Sequence, residues 1–180
     1  SQRRRKLVEE VFGWMKTVAL QPPLYKVDWD LVESQVTSRT KLIMINTPHN
    51  PCGVVLEAAD LKRLESIVIR HGIYVISDEV YEHIIFDDRK HVSIMTLPDM
   101  RARTVRIGSA GKSFSLTGWK VGYITAAPEL MKAIARTHQF MTFTTPPNLQ
   151  WGAATGLRLQ DGYFSTLAAD MQRKRDRLAD

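Results

Sequence analysis

The stretch Lys41-Leu42-Ile43-Met44-Ile45-Asn46-Thr47-Pro48-His49-Asn50-Pro51-Cys52-Gly53 decides how the chain folds. Its first six residues are mostly apolar and rich in branched side chains, without the alternation of a half-solvated strand. That pattern predicts a strand buried on both faces, as in a parallel sheet. Two prolines and a glycine then force a rigid, irregular loop at the strand's carboxyl end. Downstream, Leu61, Leu64, Ile67 and Val68 share one face of a helix predicted over 58–71, with Gly72 as its stop. Ile73-Tyr74-Val75-Ile76-Ser77 reads as a second buried strand and runs into Asp78-Glu79-Val80-Tyr81. Residues 42–77 thus form a strand-helix-strand unit, the right-handed crossover from which parallel sheets are built.

Outward from that unit, 103–107 is a third predicted strand. It leads into Gly108-Ser109-Ala110-Gly111-Lys112-Ser113-Phe114, and 121–126 is a fourth. Pro128 opens a helix to about His138. After the aromatic and threonine-rich segment 139–147, a helical stretch runs to the end of the chain, with breaks expected at Gly156 and Gly162. Upstream, 7–16 is predicted as a short amphipathic helix weakened by Gly13. Residues 16–20 read as a short strand closed by Pro22-Pro23, and Asp28 caps a helix from Trp29 to about Val36. The expected fold is α/β, a three-layer sandwich around a mostly parallel sheet.

Length and composition agree with one domain. The chain has 180 residues, 44% hydrophobic and 24% charged, enough for a core of its own. No apolar run approaches the roughly 20 residues of a membrane span. The basic start, Arg3 to Lys6, lacks the apolar core of a secretory signal. The single cysteine, Cys52, excludes an internal disulfide framework and suits a reducing, cytoplasmic compartment. The net charge of +6 owes much to two terminal runs, and no nucleic-acid recognition motif accompanies it. It reads as solvated surface, so no nucleic-acid partner is expected.

The candidate site follows from position. Asn50, Asp78 and Lys112 all lie just beyond the carboxyl ends of predicted strands, the edge where open α/β sheets bind ligands. Lys112 sits in a tight loop of small residues and hydroxyls rather than on a polar helix face, and reads as a Schiff-base lysine. A phosphate-binding lysine of a nucleotide loop is the rival, but Gly108 to Ser113 lacks that loop's spacing. Taken singly, Asp78 also reads as a helix cap, Tyr81 as a core-edge tyrosine and Asn50-Pro51 as turn chemistry. His49 and Cys52 have no assigned role, and no metal-ligand spacing joins the histidines. His71, His83, His91 and His138 read as surface or helix-end residues.

Asn50-Pro51-x-Gly53, Asp78-x-x-Tyr81, Ser109-x-x-Lys112 and Lys120, in that order and spacing, resemble the fold-type I aminotransferases that use pyridoxal phosphate. The wording Asn46 to Pro51, Gly108 to Lys112 and Thr117 to Gly122 is similar to the kynurenine and methionine aminotransferase branch of class I/II. The resemblance implies Lys112 as the cofactor's Schiff-base partner and later its proton shuttle. It implies Asp78 on the pyridine nitrogen, Asn50 and Tyr81 on the ring's phenolic oxygen, and Ser109 and Lys120 on the phosphate. Many relatives carry arginine where this chain has Lys120, so the bidentate fork is absent. A cis bond before Pro51 is also implied. Phe143 is expected in the partner subunit's substrate pocket or in the dimer interface.

The implied function is transamination of an amino acid with a 2-oxo acid by a homodimer. A cysteine-conjugate β-lyase using the same residues, and a non-catalytic binding or regulatory module, remain open alternatives. By resemblance, 16–165 is part of the cofactor-binding large domain and 1–15 does not match. Residues 166–180 begin a connecting helix toward a small domain outside the chain, and the fragment alone is expected to turn over little.

Overall fold

The computed structural model describes residues 15–179, so the helix expected over 7–16 lies almost wholly outside them. The chain divides at Arg39 and Thr40 into two compact units. In the first, Asp28 caps α1 (Trp29–Ser34) by accepting the Leu31 amide at 2.9 Å. The strand expected over 16–20 does not form. An isolated antiparallel bridge joins Gln21 to Lys26, with Pro22 and Pro23 between them offering no N–H to extend a ladder.

The second unit is a four-stranded sheet in sequential order, β1 (Leu42–Asn46), β2 (Tyr74–Asp78), β3 (Thr104–Ser109) and β4 (Gly122–Thr125). The first three strands are parallel and β4 runs antiparallel to β3. The chain is therefore α/β with a mostly parallel sheet, as its patterning predicts. Helix α2 (Ala58–His71) connects β1 to β2 and buries Leu61, Leu64, Ile67 and Val68. Gly72 ends it in the left-handed region at φ 64°, where a side chain would be strained. The Asp60 carboxylate accepts the Glu57 amide at 2.9 Å and closes the helix's first turn.

Burial on both faces of β1 and β2 is not observed. Leu42, Met44, Tyr74 and Ile76 share one face by register, and Met44 and Tyr74 are exposed there. On the opposite face Val75 and Ser77 are fully buried. Among the described residues this sheet has one covered face and one that is partly open.

Four helices follow β3: α3 (Ala110–Ser113), α4 (Pro128–Met141), α5 (Pro147–Gly156) and α6 (Asp161–Ala179). Pro128 and Pro147 each stand in a first turn, where a missing N–H costs nothing. The break expected at Gly156 is present. Gly162 instead lies in the first turn of α6, which is continuous. Ala110, Val121 and Ala153 form a small cluster with Phe114 and Leu149, which ties α3 and α5 to the strand that leads back from the lysine.

Candidate active site

Parallel strands bring their carboxyl ends to one edge, and register makes that alignment specific. Asn46 lies opposite Asp78, and Asp78 opposite Ile107. The Thr47 amide donates to the Asp78 carbonyl at 3.0 Å and the Glu79 amide to the Ile107 carbonyl at 2.9 Å. The ladder thus runs on past the strand ends and delivers three loops to one place. The segment 47–54 carries cis bonds before Pro48 and Pro51, the second as the resemblance implies. Across this loop the His49 amide donates to the Val54 carbonyl and the His49 carbonyl accepts the Gly53 amide, both at 2.8 Å.

Asn50 and Tyr81 meet there. Asn50 Nδ2 donates to Tyr81 Oη at 3.2 Å. Lys112 Nζ stands 5.6 Å from the centre of the Tyr81 ring. An amide, a phenol and an amine from three strand ends therefore converge as their positions in the sequence require. The Asp78 carboxylate sits at the end of β2 and accepts the Val80 amide at 3.3 Å. This is capping geometry, and one oxygen remains for another partner.

Lys112 does not lie in an open loop. It occupies the single helical turn α3, closed by the Phe114 amide on the Ala110 carbonyl at 3.0 Å. Gly111 suits that turn, because a Cβ there would come within 3.1 Å of the Thr117 backbone, closer than ordinary contact. Ser109, Gly111, Lys112, Thr117, Lys120, Val121 and Gly122 line a pocket of about 200 Å³. Ser109 and Lys120 line the same cavity as Lys112. Lys120 holds the left-handed conformation at φ 57° at the end of a 3₁₀ turn, Thr117–Trp119. Phe143 stands apart from this group, at φ 63° and 74% exposed.

Sequence reasoning missed two features. Asn46 accepts the Asn50 amide at 2.9 Å and donates to the Asp78 carbonyl at 3.0 Å, so it braces both loops. Its signal is a polar residue ending an otherwise apolar strand. The second feature is a buried ionic network on the sheet face opposite Asp78. Glu79, with no exposed side-chain surface, accepts from Ser77 and Ser93 hydroxyls at 2.8 Å, Arg106 Nε at 2.8 Å and His91 Nε2 at 2.9 Å. Arg106 also pairs with Glu82, which accepts Tyr123 Oη at 3.2 Å. Burial alone would raise the Glu79 pKa, but the bonds from His91, Ser77 and Arg106 together hold it below its ordinary value. Burial likewise dominates at Tyr123, reinforced by Glu82, and pushes its pKa up to about 12.

His91 and His83 are accordingly not the surface residues their sequence positions suggest. The His91 ring is 8% exposed and its Nδ1 has no hydrogen-bond partner. His83 stacks on Phe164 with ring centres 3.9 Å apart. Burial first, then the nearby Arg106 and His91 charges, depress its pKa against the pull of Glu82. His49 Nδ1 lies 2.7 Å from Cys52 Sγ.

The family described as aminotransferase class I and II matches residues 8–180. The chain is 40% identical over 164 residues to the methionine aminotransferase of Escherichia coli, covering 91% of this chain and 42% of that protein. It is 43% identical over 158 residues to the kynurenine–oxoglutarate transaminase of Dictyostelium discoideum, covering 86% and 36%. The N-succinyldiaminopimelate aminotransferase structure from Mycobacterium tuberculosis superposes with a TM-score of 0.91 at 35% identity, over 96% of this chain and 46% of that one. The chain spans about two fifths of the length of the curated relatives it matches.

Proposed function

The chain belongs to the class I and II aminotransferases, and from that premise we propose that its three-loop site holds pyridoxal phosphate. The intact protein would then exchange the amino group of an amino acid for the keto oxygen of a 2-oxo acid. Members of the family use this cofactor. The donor set here fits it: one amine, one free carboxylate oxygen, a bonded amide and phenol, and a pocket with a hydroxyl and a second cation. When bound, pyridoxal phosphate supplies the electron sink that lets an amino acid's α-proton leave.

The residues divide the remaining work. Lys112 Nζ would hold the cofactor covalently and would move the substrate's α-proton. The Asp78 carboxylate would hold a proton on the ring nitrogen. Because Asn50 Nδ2 already donates to Tyr81 Oη, the Tyr81 hydroxyl hydrogen is free to donate to the ring's phenolic oxygen. Ser109 and Lys120 would bind the phosphate by hydroxyl and charge, with Lys120 as a point charge rather than a fork. Phe140, Met141, Phe143 and Trp151 are all more than half exposed, which supports a homodimer formed through this face. Phe143 would there reach the partner's substrate.

The observation that carries the reading is the Asn50–Tyr81 hydrogen bond with the Lys112 amine above the same ring. A nucleotide-phosphate lysine needs neither neighbour. The test uses the full-length protein. Pyridoxal phosphate should produce a visible absorbance band, and borohydride should fix the cofactor onto the Lys112 peptide. Lys112→Ala should abolish both, together with transamination measured on a panel that includes methionine, kynurenine, glutamine and aspartate. Retention of band and turnover by that variant would overturn the proposal.

A further inference from the structure

The turn that bears Lys112 cannot hold itself. It contains four residues and one i to i+4 bond, far below the length at which a helix is stable alone. Its last carbonyls have no partner within the helix and must find donors elsewhere. Thr117 Oγ1 donates to the Gly111 carbonyl at 3.2 Å. Tyr163 Oη, from the first turn of α6, donates to the Ser113 carbonyl at 3.2 Å. Ser113 is buried and directly follows Lys112.

The neighbouring residue on α6 reaches the other side of the site. Phe164 stacks on His83 at 3.9 Å and 22°, and packs tilted on Phe114 at 6.0 Å. His83 belongs to the turn closed by the Ile84 amide on the Tyr81 carbonyl at 2.8 Å. Phe114 ends the lysine turn and also meets Tyr163 at 5.8 Å. It is confined further by Gly156, where a Cβ would come within 2.9 Å of its ring. Tyr163 and Phe164 lie edge to face at 5.3 Å, so the two anchors act as one wedge. The far end of α6 is held by the same segment, since Arg175 pairs with both Asp87 oxygens at 2.6 and 2.7 Å.

We infer that Tyr163 and Phe164 are positioning residues: the first turn of α6 holds the Lys112 turn against the Tyr81 turn and so fixes where the amine stands. This rests on the reading of Lys112 and Tyr81 given above. Neither aromatic lines the pocket with Ser109, Lys112 and Lys120, so each is argued to act through the residue it holds. Reacting groups lose rate steeply when displaced, by as much as about a hundredfold for roughly 1 Å.

The experiment uses the full-length protein and three variants. Tyr163→Phe removes only the hydroxyl, Phe164→Leu removes only the ring, and Phe164→Tyr restores the ring. Three quantities are read: the rate at which pyridoxal phosphate becomes borohydride-fixable on Lys112, amide hydrogen exchange at Phe114 and Ile84 without cofactor, and melting temperature. Tyr163→Phe should slow attachment about tenfold and speed exchange at Phe114, and Phe164→Leu should do so at both amides, while Phe164→Tyr behaves as wild type. If attachment stays within about twofold of wild type in Tyr163→Phe and Phe164→Leu while melting falls, the pair is packing alone and the inference is wrong. Should Phe164→Leu fail to fold, Tyr163→Phe decides by itself. If the wild-type protein does not attach the cofactor at Lys112, the functional reading fails instead.

Discussion

Arg106→Met removes the cation that two carboxylates share, and its cost can be worked from the surroundings. Glu79 has no exposed side-chain surface, and Arg106 is one-fifth exposed. Breaking a buried ion pair by deleting one partner costs about 3–5 kcal/mol, because the remaining charge is left without compensation. Glu79 keeps its bonds from Ser77, Ser93 and His91, which places the expected loss near the low end, about 3 kcal/mol. Urea denaturation of the full-length protein measures it as a shift in midpoint with the slope unchanged. The pH dependence supplies a second reading. The Glu79 pKa is depressed on folding, so its stabilisation is present above the ordinary glutamate value of 4.5 and is lost as pH falls below it. The gap between wild type and Arg106→Met should therefore narrow in acid. A loss under about 1 kcal/mol at neutral pH, the size of an ordinary exposed pair, would refute the reasoning, as would a gap that widens below pH 4.5.

Gly108→Ala should destabilise by about 1–3 kcal/mol in the same assay, since its Cβ would collide with the Tyr123 ring and force it off Glu82. Tyr123 titrates higher when folded than unfolded, about 12 against 10.0, so stability present below pH 10 should fall as pH rises through that window. Tyr123→Phe should flatten the alkaline fall; an unchanged profile would show that another group is responsible.

The elements legible in the sequence were those with local signals. Helix α2 matches its predicted bounds because four apolar residues at helical spacing precede a glycine that can adopt positive φ. Asn50 and Lys112 follow the ends of β1 and β3, and Asp78 is the last residue of β2, because strand ends are marked by where apolar runs stop. The lysine turn reads as a loop in the sequence because four residues are too few for periodicity to register. Exposure of Met44 and Tyr74 was missed because an apolar run reports hydrophobicity and says nothing of what covers each face. His91 and His83 were misread for a different reason. Their partners, Glu79 and Phe164, lie 12 and 81 residues away in sequence, so neither histidine carries a local mark of its burial.

The adjacent carboxylates Asp78 and Glu79 show what the sheet register accomplishes. Side chains alternate along a strand, so Glu79 joins Ser77 and Arg106 on one face while Asp78 turns to the other. A slip of one residue would exchange them, sending an aspartate one methylene short into a network built for glutamate and leaving Arg106 out of reach. The ionic network therefore works as a parity check on the strand. Only the register that satisfies four donors on the hidden side also presents the shorter carboxylate on the other.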